Sequence, residues 1–275
     1  MSSTPVDPGP RPETARTDNR PVQDADELVH FYDEGYTQSP ADAARYARWR
    51  ALGAVGKADH VLALCSRAGL RAGGYPISTL EVGCGDGALL SELHRRNFGG
   101  RLAGVEITAA AVSIARRRNE IASVELYDGL HLPAADGAYD LGILSHVLEH
   151  VPDPPALLAE VARACRAVVV EVPLEDNLSA ERASKREHAD EVGHLQRLSR
   201  EHAREIVARA GLRTACELED PLPLAVHRFI APATVSGQAV ATAKWGLRAG
   251  LHKLAPPVAR RLFTMHYACL CLPPG

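Results

Sequence analysis

Lysine is nearly missing from this chain. Of 275 residues only Lys57, Lys185, Lys244 and Lys253 carry an ammonium, and arginine supplies the rest of the 31 basic groups. With 34 acidic residues the formal charge is −3, and the arginines are scattered along the sequence. A nucleic-acid binder usually presents a basic face to phosphates, so nucleic acid is not an expected partner. Cys-x-x-Cys pairs are also absent. The six cysteines, at 65, 84, 165, 216, 269 and 271, lie mostly in apolar runs, which argues against structural zinc and against a disulfide framework. No apolar run reaches the roughly 18 residues that a membrane-spanning helix needs, and the chain does not open on a charged-then-apolar leader. A soluble, cytoplasmic protein is expected. What is present is an ordinary apolar fraction, 46%, in a length suited to one sizeable α/β domain with additions.

Residues 1–24 are rich in Pro, Ser, Thr, Asp and Arg with hardly a large apolar side chain, and read as a disordered tail. Residues 25–75 read as an N-terminal helical cap. A first helix carries Leu28, Val29, Phe31 and Tyr32, and a second opens at Ser39-Pro40 and runs to about Ala68. From 76 onward short apolar runs alternate with amphipathic stretches. Strands are expected at 78–83, 101–105, 122–127, 139–145 and 167–172, with helices at 86–97, 108–119 and 153–165 between them. Runs such as Ala167-Val168-Val169-Val170 are continuously apolar, as in strands covered on both faces. Repeated β–α units imply a mostly parallel sheet. The alternation lapses over 174–197, a charged segment read as a lid over the sheet's carboxyl edge. A helix capped by Ser199 and a strand near 212–218 follow. A helical insertion at 232–262 precedes a last strand at 263–272. Its apolar face fits packing on the domain better than a membrane surface.

The stretch Leu80-Glu81-Val82-Gly83-Cys84-Gly85-Asp86-Gly87 reads as strand, glycine turn and helix start. Glycines there let the backbone turn sharply and approach a ligand, with a helix N-terminus facing it. Nineteen residues after Gly87 comes Glu106 in Gly104-Val105-Glu106-Ile107, suited to both hydroxyls of a ribose. Asp128 in Tyr127-Asp128-Gly129-Leu130 ends the third strand, where a carboxylate can accept from an exocyclic amine. The glycine spacing differs from Gly-x-Gly-x-x-Gly, which counts against a nicotinamide-dependent oxidoreductase. Acids at two successive strand ends argue for an adenosine ligand without a pyrophosphate.

These segments, together with Ser145-His146-Val147-Leu148-Glu149-His150-Val151-Pro152-Asp153-Pro154, resemble the class I S-adenosylmethionine-dependent methyltransferases. The likeness is greatest to the small-molecule branch containing the ubiquinone and menaquinone methyltransferases, and it covers about residues 78–173. The resemblance implies a Rossmann-like α/β fold: a seven-stranded, mostly parallel sheet with helices on both faces, plus the N-terminal cap and lid insertions. It implies S-adenosyl-L-methionine as cofactor and a small-molecule acceptor methylated on O or N, with a specialised metabolite or sugar derivative as the expected class. Glu81, Gly83, Gly85 and Gly87, with the Cys84 backbone, would surround the methionine part. Glu106 would hold the ribose, Asp128 the adenine amine, and Gly129 and Leu130 would pack on the ring, with Ile107 also among the cofactor-binding residues. Ser145 and His146 would line the floor near the sulfonium, and Tyr32 and Tyr36 are candidates to close over it. Where the acceptor must lose a proton, His146 is the best-placed base, with His150 and His194 as second choices. No metal set is read: His146 and His150 are four residues apart, but no third ligand is spaced with them. Two alternatives remain beside this reading, the oxidoreductase and a non-catalytic binding protein of the same fold. A homodimer is the assembly left open.

Overall fold

The computed structural model of the protein describes residues 40–70, 77–191 and 193–274. The tail at 1–24, the first helix of the expected cap, and Tyr32 and Tyr36 lie outside the described residues. The first described element, α1 (Pro40–Arg67), buries Ala54, Ala58, Val61, Leu64 and Cys65, apolar side chains three or four residues apart along one stripe.

Strand and helix then alternate as β1 (Ser78–Val82), α2 (Ala88–Arg95), β2 (Arg101–Glu106), α3 (Ala109–Ala115), β3 (Ser123–Leu126) and β4 (Tyr139–Ser145). A 3₁₀ turn over Leu148–His150 leads to α4 (Pro154–Ala164), which starts where the Asp153 carboxylate accepts the Ala156 N–H at 3.2 Å. Next comes β5 (Cys165–Leu174), longer than the expected 167–172 because it is paired on both edges. The charged segment holds α5 (Ala183–Glu191), and α6 (Arg200–Arg209) begins where Ser199 Oγ accepts the His202 N–H at 2.9 Å. After β6 (Arg213–Asp220) come α7 (Leu224–Ile230), α8 (Val235–Leu254), α9 (Pro256–Leu262) and β7 (Met265–Leu272).

The seven strands form one sheet in the order β3-β2-β1-β4-β5-β7-β6, parallel except for β7, which runs antiparallel to both its neighbours. Alternation along β5 shows how the two layers form. Val168, Val170 and Val172 face Leu157, Leu158 and Val161 of α4 and Ile206 and Val207 of α6. Ala167 and Val169 point the other way, into the layer made by α1 and α2. The expected α/β sheet with helices on both faces is the observed fold, and α1 serves as one of those covering helices.

The insertion at 232–262 is two helices divided at Pro256-Pro257, the break those prolines lead one to expect, and α7 precedes them. Packing covers the apolar side of α8 only in part, with Leu251 against the core. Ala241 is its buried residue, while Val235, Val240, Leu247 and Leu254 are exposed. Among the described residues no helix is long and apolar enough to cross a membrane.

Because Leu64 is fully buried between α1 and the sheet, Leu64→Ala is expected to cost about 2–5 kcal/mol in urea unfolding. A loss below about 0.5 kcal/mol would mean that α1 is not docked there.

Candidate active site

The carboxyl ends of β1, β2 and β4 meet at one edge of the sheet, the place where open α/β folds bind ligands. Leaving β1, the chain turns through Gly83, Gly85 and Gly87, with φ of 71°, 53° and 77°. These are left-handed conformations that side chains with a Cβ rarely adopt. Space is short as well: a Cβ on Gly83 would meet Val147 Cγ2 at 2.7 Å. The glycine turn is therefore in contact with the turn that follows β4.

Glu106 ties this turn to the end of β2. Its Oε2 accepts the Gly85 N–H at 2.8 Å, and Oε1 accepts those of Ile107 and Thr108 at 2.7 and 3.3 Å. Burial raises its pKa against the pull of these donors. Asp86 serves the scaffold: it pairs with Arg50 Nε at 3.0 Å and Arg118 Nη2 at 3.5 Å. Cys84 is buried against Gly104 with its thiol pKa pushed up by burial, so only its backbone is offered to a ligand.

Glu81 is only 5% exposed, and its Oε2 has no hydrogen-bond partner. Burial pushes its pKa up to about 8; Lys57 opposes the shift, and the negative charges of Asp86 and Glu106 add to it. A buried acceptor without a partner, beside a glycine turn, fits the ammonium of an amino-acid moiety. Further along the edge Ile107 lies against Gly129, where a Cβ would meet its Cγ2 at 3.7 Å, and Leu130 is exposed beside them, apolar surface suited to a base. Asp128 is exposed and folded onto its own turn. Its Oδ1 accepts the N–H groups of Leu130 and His131 at 2.8 and 2.7 Å, and Oδ2 pairs with His131 Nδ1 at 2.7 Å. The His131 hydrogen bond, with those of the two backbone groups, lowers its pKa to about 2.

At the end of β4 Ser145 Oγ donates to Glu171 Oε2 at 3.1 Å. His146 follows with φ 59° and its N–H on the Glu171 carbonyl at 2.9 Å. Its imidazole sits between two buried carboxylates, Nδ1 3.2 Å from Glu149 Oε1 and Nε2 3.6 Å from Glu171 Oε1, near but not aligned as hydrogen bonds. Burial and Lys57 pull its pKa down, yet the two carboxylates outweigh them and the net shift is upward. His60 Nδ1 and His266 Nδ1 approach the same Glu171 oxygen at 3.3 and 3.4 Å. On the far side of Glu149 lie His150 and His194, with ring centroids 4.8 Å apart. The three histidines singled out in the sequence thus fall in one cluster. Its other members, His60, Glu149, Glu171 and His266, went unread. The signal for Glu171 was a lone acid inside an apolar strand.

Comparison with known proteins agrees with this geometry. The family described as "Methyltransferase domain" matches residues 56–217. The chain belongs to that family. A ubiquinone biosynthesis O-methyltransferase of Sodalis glossinidius is 35% identical over 105 residues, 36% of this chain and 40% of that protein. An uncharacterised 37.1 kDa protein of a transposon in Streptomyces fradiae is 40% identical over 93 residues, 32% of this chain and 27% of its own length. The chain thus spans less than half the length of both relatives. Among solved structures, a geranyl diphosphate C-methyltransferase of Streptomyces coelicolor A3(2), bound to Mg²⁺, geranyl diphosphate and S-adenosylhomocysteine, superposes with a TM-score of 0.52 at 18% identity. The superposition covers 71% of this chain and 70% of that one, a likeness of fold.

Two measurements probe the glycine turn. Gly83→Ala should lose more stability in urea than Gly137→Ala: both have positive φ, a strain of about 1–3 kcal/mol, but only position 83 adds a clash. Equal losses would remove the contact with Val147. Glu81 is protonated below pH 8 and so cannot attract an ammonium there. S-adenosylhomocysteine should therefore bind more tightly as pH rises from 6 to 8, by at most about tenfold per unit. Calorimetry on Glu81→Gln should show that slope flattened, and an unchanged slope would exclude Glu81.

Proposed function

We propose that this chain transfers a methyl group from S-adenosylmethionine to an oxygen or nitrogen of a small molecule, with His146 as the base. The observation that carries the reading is the contact between Gly83 and Val147, which sets the His146 turn directly against the cofactor turn. Glu81 would receive the cofactor's ammonium, Glu106 its ribose hydroxyls, and Ile107, Gly129 and Leu130 its base. The orphaned Glu81 oxygen and the glycine cradle support that fit. When bound, the cofactor supplies an already activated methyl group. What remains for the protein is alignment, exclusion of water and removal of the acceptor's proton.

His146 would take that proton, with Glu171 and Glu149 stabilising the imidazolium that results. The carboxylates that raise its pKa also set the pH at which it can serve. A base must be neutral, so the reaction should accelerate as pH rises through a value above 6.5. The ubiquinone O-methyltransferase relative supports an oxygen acceptor, and the family membership sets the nicotinamide reading aside.

S-adenosylhomocysteine release over a panel of phenols, sugars and amines tests the reading and finds the acceptor. With that acceptor, His146→Ala should lower kcat by about 10²–10⁴-fold while leaving S-adenosylhomocysteine affinity largely intact. Glu171→Gln should move the acid limb of the kcat/KM profile to lower pH. Unchanged turnover in His146→Ala would rule out the base, and failure to bind S-adenosylhomocysteine would overturn the whole proposal.

A further inference from the structure

The Glu149 side chain is 1% exposed and neither of its oxygens has a hydrogen-bond partner. An ionised carboxylate is costly to bury in that condition. His146 Nδ1 stands 3.2 Å away without bonding alignment, and His150 Nε2 lies 3.9 Å from the same oxygen. Glu149, His150 and His194 each bring one possible ligand atom, and these atoms all lie within 4.8 Å of one another.

Both imidazoles are oriented from behind. His150 Nδ1 faces the Gly193 carbonyl oxygen at 3.1 Å, and a carbonyl only accepts, so Nδ1 carries the proton. His194 Nδ1 meets Glu175 Oε2 at 2.9 Å. A carbonyl behind the His150 ring and a carboxylate behind the His194 ring is the arrangement that supports metal-binding histidines. The segments that carry these groups are stitched together. Leu195 and Gln196 donate their N–H groups to the Glu149 carbonyl at 2.8 and 3.3 Å. The Gln196 side chain donates to the Leu148 and Val151 carbonyls at 3.1 and 3.0 Å.

We propose that Glu149, His150 and His194 bind a divalent transition-metal ion, of the zinc or iron(II) kind, through one carboxylate oxygen and two imidazole nitrogens. Two imidazoles favour such an ion over magnesium or calcium, which take oxygen ligands. Bonds of about 2.0–2.2 Å leave ligand atoms roughly 3–3.5 Å apart, so side-chain rotations of about 1 Å close the site. Three protein ligands leave positions open for an oxygen of the acceptor, with His146 alongside. In that role, which rests on the function proposed above, the ion lowers the pKa of the bound hydroxyl. The hydroxyl proton passes to His146, and the oxygen's electron pair forms the new bond to the methyl carbon as its bond to sulfur breaks. The binding of the metal itself does not depend on that reading.

The neighbouring set of His146, Glu171 and His266 is the rival location. Its carboxylate already accepts from Ser145 and faces His60, so its charge is compensated without an ion.

The test uses the full chain without an affinity tag, stripped with a chelator. Zn²⁺ is titrated by calorimetry and Co²⁺ by visible absorption. One equivalent should bind, with ligand-field bands of a nitrogen–oxygen site of low coordination number. His194→Ala and Glu149→Gln should each weaken binding at least tenfold, whereas His266→Ala should retain it. Absence of binding to the wild type, binding indifferent to His194→Ala, or binding lost in His266→Ala would each overturn the proposal. If a variant fails to fold, the wild-type Co²⁺ spectrum decides alone, since a spectrum of hexa-aqua cobalt overturns it. Titration of S-adenosylhomocysteine into the same sample separates the two readings: cofactor binding without metal binding removes only the metal, and the reverse removes only the methyltransferase function.

Discussion

A single buried carboxylate, Glu171, holds the functional edge of this protein together. It is 1% exposed in the central strand β5, and a charge placed there must be compensated or expelled. Compensation arrives from four elements: Ser145 from the end of β4, His146 from the turn after it, His266 from β7 and His60 from α1. Burial opposes ionisation, but the imidazoles of His146, His266 and His60 win, and its pKa falls well below the usual carboxylate value. Burial likewise opposes the charge on His60, yet Asp220 and Glu171 raise its pKa to about 10. The signs set a window. The stabilisation tied to Glu171 is present above its unfolded pKa of about 4.5 and is lost in acid. That tied to His60 is complete below about 6.5 and fades as pH rises through 10. Between those limits α1 is clamped electrostatically as well as by Leu64 and Val61, which ties the covering helix to the chemistry of the edge.

Period and glycine made the fold legible before any coordinate was considered. Continuous apolar runs marked β4 and β5, turn residues marked their ends, and the acids at 81 and 106 pointed to the ligand edge. These are local signals, written within a few residues of what they describe. Pairing across the sheet is not local. Nothing near Cys165 or Leu174 announces that β7 will pair along β5 and lengthen it. The same holds at the site: His146 and His150 stood out because they share a turn, whereas His194 and His266 join them from segments 44 and 116 residues beyond His150. The four-residue step from His146 to His150 likewise carries no third histidine spaced with them. The third member came from the charged segment after β5, brought in by hydrogen bonds to the Glu149 carbonyl that no spacing rule encodes.

The apolar face of α8 is a case where periodicity was read correctly and its consequence only in part. The pattern predicts a helix with one apolar side, and α8 has one. It assumes that such a side finds a partner within the domain; this one does so at Ala241 and Leu251, while Leu247 is 65% and Leu254 86% exposed.

The buried acids of the edge divide into two kinds by their neighbours, and the division matches what each is asked to do. Glu149 and Glu171 lie among imidazoles, and despite burial both are held low, Glu149 at about 2. They are fixed negative charges, fit to polarise His146 or to ligate an ion. Glu81 and Glu106 lie beside the glycine turn, and burial drives both upward, for Glu81 against the pull of Lys57. They gain their charge most readily when a ligand brings hydrogen-bond donors or a positive group. Environments that push carboxylates of one type in opposite directions separate acid–base work from recognition within one small region. Under the proposed function, a donor that carries an ammonium and a sulfonium would meet two acids that burial raises and two that imidazoles hold low.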